Sequence, residues 1–195
     1  MNVAQKVCVF LYPGCAEFEI TVACWQIAES ENYEILTIAY EKTPISTNSG
    51  LTMIPDKLIS EIENTNNLAG IIIPGGSLLD LRQDFQSLLQ KLDEENKLLA
   101  AICAGPQYFA VSNILDARPF TTSRTAEKYF ELNQPDPFDW DYYKETRVVM
   151  DKNLITAKGY AFSDFAIAIW EYLGIINSDV EREDWRWQFF PQNLK

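Results

Sequence analysis

Lys97-Leu98-Leu99-Ala100-Ala101-Ile102-Cys103-Ala104-Gly105-Pro106 is the stretch on which the fold turns. Residues 98–102 are continuously apolar, the pattern of a strand covered on both faces. Ala104 and Gly105 are small enough for a sharp turn, and Pro106 suits the first turn of a helix, expected over residues 107–115. A strand that runs into one cysteine and then turns into a helix sets that thiol at a helix N-terminus. Amide dipoles there favour a thiolate. The same turn carries the nucleophilic serine of α/β hydrolases. A free cysteine also packs well as a small hydrophobe, so the pattern alone leaves Cys103 open between nucleophile and core filler.

The neighbouring segments repeat the theme. Residues 7–11 read as a buried strand broken by Pro13-Gly14. Residues 17–29 follow as an amphipathic helix with Phe18, Val22, Trp25 and Ala28 on its apolar face. Residues 33–40 form a second strand, 42–55 a hairpin-type excursion and 58–63 a short helix. Residues 70–73 are another buried strand, ending in the tight turn Pro74-Gly75-Gly76. Helices are expected over 78–82 and 85–96. Beyond Cys103 come a short strand at 119–123, a helical stretch at 125–132 and a loop at 133–143. That loop holds the cluster Phe138-Asp139-Trp140-Asp141-Tyr142-Tyr143, either a cover for a pocket or packing on the C-terminal helix. Residues 147–150 and 153–157 read as a hairpin ended by Gly159. Ser163 is placed to cap a helix over 164–173, with Phe165, Ile169 and Leu173 on its apolar face. A last amphipathic helix, 179–190, carries Trp185, Trp187, Phe189 and Phe190 for the core or a dimer contact.

Strand and helix alternate throughout. That is the signature of an α/β fold, a three-layer flavodoxin-like sandwich with a mostly parallel sheet, here one domain over residues 1–195. Ligands of such sheets bind beyond the carboxyl ends of the strands. Three loops leave those ends: 12–19, 74–77 and the Cys103 turn. If their strands are neighbours, one pocket gathers Glu17 or Glu19, the Gly75 and Gly76 amides, and Cys103.

Composition narrows the chemistry. A net charge of −12 with no basic cluster argues against nucleic acid or an anionic membrane as partner. No apolar run approaches membrane-spanning length, and residues 7–11 are too few for a signal peptide core. Cys8, Cys15, Cys24 and Cys103 lack metal-ligand spacing, so no metal and no cofactor are expected, and reduced thiols fit a cytoplasmic protein. The chain contains no histidine. A cysteine–histidine dyad and an imidazole base are therefore excluded.

The residues also resemble a known family. Ala100-Ala101-Ile102-Cys103-Ala104-Gly105-Pro106 is similar to the cysteine elbow of the DJ-1/PfpI (ThiJ) superfamily, in its DJ-1-like branch. Ile72-Ile73-Pro74-Gly75-Gly76 resembles its oxyanion loop, and Gly14-Cys15-Ala16-Glu17-Phe18-Glu19 its glycine-plus-acidic motif. The likeness continues through Thr121-Thr122 and residues 155–170. It implies the class I glutamine amidotransferase-like fold and, usually, a homodimer. It implies Cys103 as the reactive cysteine and Glu19 as the acid at the thiol. Gly76 and Ala104, with Gly75 beside them, are the positions whose amides face the thiol and hold an oxyanion. Where DJ-1-like members often carry histidine after the two threonines, this chain has Ser123. Where PfpI-type members place it directly after the cysteine, it has Ala104. Peptidase chemistry is thereby disfavoured.

What remains is a cysteine-dependent enzyme on a small electrophile, glyoxalase-like or hydrolase/hydratase-like, or else an oxidation sensor in which Cys103 forms a sulfinate. Glu19 is expected to be protonated and to donate to a thiolate; the plain alternative is an acid favoured at a helix start. Glu17 is the substitute acid. Cys15 reads as a resolving thiol or a small loop residue. Ser123 would hydrogen-bond substrate or water, and Arg124 would pair with an anionic substrate or a sulfinate, each against a surface role.

Overall fold

The computed structural model describes residues 3–76 and 79–189. Among these, the strands are β1 (Gln5–Phe10), β2 (Tyr33–Ala39), β3 (Ile45–Ser46), β4 (Thr52–Met53), β5 (Lys57–Leu58), β6 (Leu68–Ile73), β7 (Leu98–Ile102), β8 (Val148–Asp151) and β9 (Leu154–Ala157). The α-helices are α1 (Thr21–Glu29), α2 (Gln83–Glu94), α3 (Pro106–Val111), α4 (Ala126–Glu131), α5 (Phe162–Tyr172) and α6 (Asp179–Phe189). Seven strands make one sheet in the order β5-β2-β1-β6-β7-β9-β8, all parallel except the β8–β9 hairpin. β3 and β4 form the separate antiparallel excursion expected over 42–55. The mixed α/β architecture with a mostly parallel sheet is as read from the sequence.

The central strands are apolar on both faces because both faces are covered. Every residue of β7 and all of Ile71–Ile73 are fully buried. Phe10, Phe85, Tyr108 and Tyr40 pack ring on ring over one side of β1. Trp170 of α5 is fully buried on the other side, donating its indole N–H to the Ala23 carbonyl at 2.9 Å. β1, β6 and β7 are adjacent, so the three loops leaving their carboxyl ends converge.

Several segments depart from expectation, each for a local reason. Residues 17–19 form a single 3₁₀ turn and the α-helix begins only at Thr21. The tighter winding shifts the helical phase, so Ala23 and Ile27 face the core, while Phe18 and Trp25 are half exposed and Ala28 lies outward. Residues 79–82 are not helical. The Tyr40 hydroxyl donates to the Asp80 carbonyl and accepts from the Arg82 N–H, replacing the helical partners those groups would need; Leu78 lies outside the described residues. In place of a helix at 58–63, Lys57–Leu58 pairs with β2 and one 3₁₀ turn follows, Ile59–Glu61. α3 stops at Val111 because the Ser112 hydroxyl turns back to the Tyr108 carbonyl and Asn113 adopts a left-handed φ of 59°. Residues 119–123 make one isolated bridge, Phe120 to Tyr143, since the Thr121 N–H is given to the Thr156 hydroxyl. Ser163 does not cap α5: the 3₁₀ turn Gly159–Ala161 runs into the helix, and Ser163 lies buried in its first turn.

The 138–143 cluster packs on the 120–129 segment and not on α6. Phe138 stacks on Phe120 at 5.1 Å and tilts against Tyr129. On α6, Trp185 and Phe189 pack on Trp170, and Trp187 is exposed; Phe190 lies outside the described residues. No helix among the described residues is long and apolar enough to cross a membrane.

Candidate active site

Cys103 leaves the carboxyl end of β7 at φ 60°. That left-handed conformation is uncommon for a residue with a Cβ and marks a forced turn. Backbone bonds enforce it. The Cys103 N–H donates to the Ala157 carbonyl at the end of β9, and its own carbonyl accepts from the Ser123 N–H at 2.9 Å and the Thr122 hydroxyl at 2.7 Å. The thiol is thereby aimed into the space between the β1, β6 and β9 loops.

Glu19 reaches that thiol. It is nine-tenths buried or more, its Oε2 accepts from the Gly75 N–H at 2.9 Å, and its carboxyl hydrogen-bonds Cys103. Two glycines make the approach possible. A Cβ on Gly75 would stand 2.2 Å from Glu19 Oε2 and 2.6 Å from Cys103 Cβ. A Cβ on Gly159 would stand 2.7 Å from Glu19 Oε1 and 3.0 Å from Cys103 Sγ. Tyr12 secures the loop behind, donating to the Gly75 carbonyl at 2.7 Å.

Two further groups face the sulfur. The Ala104 N–H and the Ser123 side chain both hydrogen-bond it. Ser123 Oγ accepts from the Gly159 N–H at 2.9 Å, which leaves its single O–H for sulfur. A hydroxyl thus stands at the thiol in the position where the family resemblance would have put imidazole. Arg124, next in the chain, spans the same mouth: its Nη2 lies 3.4 Å from the Gly76 carbonyl.

The electrostatics reverse one expectation. Burial, then the charge of Glu19, pushes the Cys103 thiol up to about 11, against smaller lowering effects of Ser123 and Ala104. The helix N-terminus does not win, because α3 has only six residues and starts three positions beyond the cysteine. At pH 7 only about one thiol in 10⁴ is then ionised. Burial also raises Glu19 above the ordinary carboxylate range, and the Cys103 and Gly75 donors offset only part of that rise. These bonds run from thiol and amide to the carboxylate. The resting sulfur is therefore a thiol that donates to the Glu19 carboxyl, not the thiolate that the helix N-terminus was expected to favour.

The structure therefore brings together Cys103, Glu19, Gly75, Ala104, Ser123 and, at the rim, Gly76 and Arg124. The Gly75 amide is committed to Glu19 and the Ala104 amide to sulfur. Glu17 is buried, with Oε2 lacking a hydrogen-bond partner among the described residues, yet it is Glu19 that touches the thiol. Cys15 is a buried free thiol whose backbone ties Tyr12 to Asn48. Cys8 and Cys24 are raised to about 12 by burial. Sequence reasoning passed over Gly159, Thr122 and Tyr12. The available signal was positional: each adjoins a strand end or the segment facing Cys103. Among the described residues, no group of three or more Cys, Asp or Glu side chains is placed to hold a metal ion.

Comparison with known proteins bears on this constellation. The model of the DJ-1/PfpI family matches residues 5–172. The chain is 28% identical over 158 residues to the protein described as uncharacterized protease YoaZ of Bacillus subtilis, covering 79% of this chain and 73% of that protein. It is 27% identical to glutathione-independent glyoxalase DJR-1.2 of Caenorhabditis elegans, covering 87% and 90%. The crystal structure of a thiJ/pfpI family protein from Bacillus anthracis superposes with a TM-score of 0.81 at 19% identity, over 98% of this chain and 94% of that one.

Proposed function

The chain belongs to the DJ-1/PfpI family, and on that footing we propose that it is a cysteine-dependent enzyme acting on small carbonyl electrophiles, with glyoxalase-like chemistry. The observation that carries this reading is the direct hydrogen bond between a buried carboxyl, Glu19, and a thiol held at a forced turn. A glyoxalase is among the relatives, and its name alone would decide nothing. The relative described as a protease points elsewhere, but this chain has no histidine to serve a peptidase thiol.

The thiol and carboxylate suffice for the redox-neutral conversion of a 2-oxoaldehyde to a 2-hydroxy acid. Sγ adds to the aldehyde carbon while Glu19 takes the thiol proton and passes it to the carbonyl oxygen, giving a hemithioacetal. Glu19 then removes the hydrogen on that carbon as a proton, forming an enediol, and returns it to the neighbouring carbon. The thioester that results is cleaved by water: the C–S bond breaks, sulfur regains its proton and the acid leaves. The first carbon is oxidised and the second reduced, so water is the only co-reactant. The test is formation of lactate from methylglyoxal, expected for the wild-type protein and absent if the reading is wrong.

Two substitutions separate the roles at the thiol. Glu19→Gln removes the negative neighbour, so the thiol pKa should fall and iodoacetamide alkylation at pH 8 should quicken by about tenfold, the size of a one-unit shift. Turnover should fall in the same protein, because the proton acceptor is gone. Ser123→Ala removes a donor to the sulfur, so alkylation at pH 8 should slow by several-fold. Stopped-flow alkylation across pH 7–11 reads both; shifts of the opposite sign would remove these residues from the scheme.

A second reading rests on the same donors. Ser123 O–H and Ala104 N–H would stabilise oxygen atoms on an oxidised sulfur as readily as a thiolate. Mild peroxide that adds two oxygens to Cys103, in a protein that makes no lactate, would favour a sensor.

A further inference from the structure

The turn Pro74-Gly75-Gly76 carries the amide that holds Glu19, so whatever fixes that turn fixes the carboxyl at the thiol. One peptide group matters most. It joins the Pro74 carbonyl to the Gly75 N–H, and a planar trans peptide points those two groups in opposite directions. On the N–H side, Glu19 Oε2 accepts at 2.9 Å. On the carbonyl side, the Tyr12 hydroxyl donates to the Pro74 oxygen at 3.1 Å. The same hydroxyl lies 2.7 Å from the carbonyl oxygen of Gly75, which also accepts from the Ala16 N–H at 2.8 Å. Its one O–H is shared between the two oxygens.

Packing holds that hydroxyl in place. Tyr12 is buried, and its ring lies against Phe10 and Tyr108 at centroid distances of 5.4 and 5.8 Å. Gly76 leaves room for the hydroxyl, since a Cβ there would stand 2.7 Å from the Tyr12 oxygen. The Pro74 oxygen is also close on the cysteine turn: a Cβ on Gly105 would stand 3.0 Å from it. Burial pushes the Tyr12 phenol up, so the hydroxyl is a donor at every working pH. Among the described residues Tyr12 hydrogen-bonds neither Glu19 nor Cys103, so its hydroxyl reaches them through the backbone.

We propose that Tyr12 is a positioning residue for the thiol–carboxyl pair: its hydroxyl, acting through the Pro74–Gly75 peptide, aims the Gly75 N–H at Glu19 and keeps that carboxyl against Cys103. The assignment rests on the reading of Cys103 and Glu19 as nucleophile and proton carrier.

Tyr12→Phe removes the hydroxyl and keeps the ring. The Gly75 donor then loosens, and a carboxylate that loses a donor is harder to ionise. The Glu19 titration midpoint, followed by carbon-13 NMR of labelled glutamate and assigned with Glu19→Gln, should move to higher pH. The acid limb of lactate formation, which needs Glu19 ionised, should move with it. Misplacement of the pair should lower kcat by about tenfold with KM within about twofold. Placing 3-fluorotyrosine at position 12 should do the opposite. Its more acidic phenol donates more strongly at nearly the same size, polarises the Pro74–Gly75 peptide further, and keeps the buried hydroxyl that folding uses. The Glu19 midpoint should then fall. Tyr40→Phe is the comparison: it removes a hydroxyl bond to the Asp80 carbonyl farther along the same connection, so it should lower thermal stability without moving Glu19. A Glu19 midpoint that stays at the wild-type value with either replacement of Tyr12, whatever the change in thermal unfolding, overturns the assignment and leaves Cys103 and Glu19 in their roles. A wild-type protein that forms no lactate, with a thiol that alkylates no differently from that of Glu19→Gln, overturns the pair and the assignment together.

Discussion

Cys103→Ala is expected to lower lactate formation from methylglyoxal by about 10³-fold or more, to the background of the solution reaction, while leaving the fold in place. The sulfur forms the covalent bond in the proposed scheme, and no other thiol can substitute. Cys15 is buried, and Cys8 and Cys24 are pushed up to about 12. Losing a nucleophile typically removes nearly all of the chemical rate. Stability should move the other way or not at all. Sγ sits against a carboxylate in a site whose burial disfavours either charge, so its removal relieves a conflict more than it leaves a void. Thermal unfolding within about 5 °C of wild type, alongside lost turnover, would be the expected pair of results. Unchanged turnover would take Cys103 out of the mechanism.

Gly75→Ala should have the largest combined effect on structure and activity. Its backbone is not left-handed; what it lacks is room. The added methyl would overlap Glu19 Oε2 at 2.2 Å and Cys103 Cβ at 2.6 Å. Neither neighbour can swing away freely. Glu19 is buried and bound to this same amide, and Cys103 Cβ is fixed by its turn. Either the β6 loop moves or Glu19 is expelled, and both break the thiol–carboxyl contact. Overpacking of this kind costs about 1–3 kcal/mol, and turnover should fall as far as in Cys103→Ala. Gly159→Ala, with its nearest contacts at 2.7 and 3.0 Å, should act in the same direction more weakly. Gly14→Ala is the control. Its φ of 75° strains an alanine, but nothing lies within 4 Å of the added atom, so about 1 kcal/mol of stability should go with the site untouched. Urea unfolding and lactate assays of the three variants check the order. A stable, active Gly75→Ala would show that the close approach of Glu19 is not required.

The sheet was legible because its central strands are apolar on both faces, and five such residues in a row before Cys103 admit few other readings. The convergence of the 12–19, 74–76 and 103 loops could be stated only on the condition that their strands are neighbours, which the order β1-β6-β7 meets. The phase of α1 was not legible, because a 3₁₀ turn at Glu17–Glu19 rotates the face in a way that spacing does not record. Residues 79–82 and 119–123 were misread because distant side chains, Tyr40 and Thr156, take over their backbone partners. Cys103 could be picked out by position, whereas position left Glu17 and Glu19 open and only the family resemblance singled out Glu19. The state of the proton that Cys103 and Glu19 share was not legible, since it depends on burial and on which donors reach Glu19. Gly159 looked like a strand terminator and proved to be a wall of the pocket.

The central claim is that Cys103 and Glu19 act together as nucleophile and proton carrier on a small carbonyl compound. The most direct measurement is proton NMR of methylglyoxal incubated in D₂O with the wild-type protein and with Glu19→Gln. Lactate should accumulate with wild type and not with Glu19→Gln, even though the variant thiol alkylates faster. If wild type forms no lactate, or Glu19→Gln forms it at the wild-type rate, the pair does not do this chemistry.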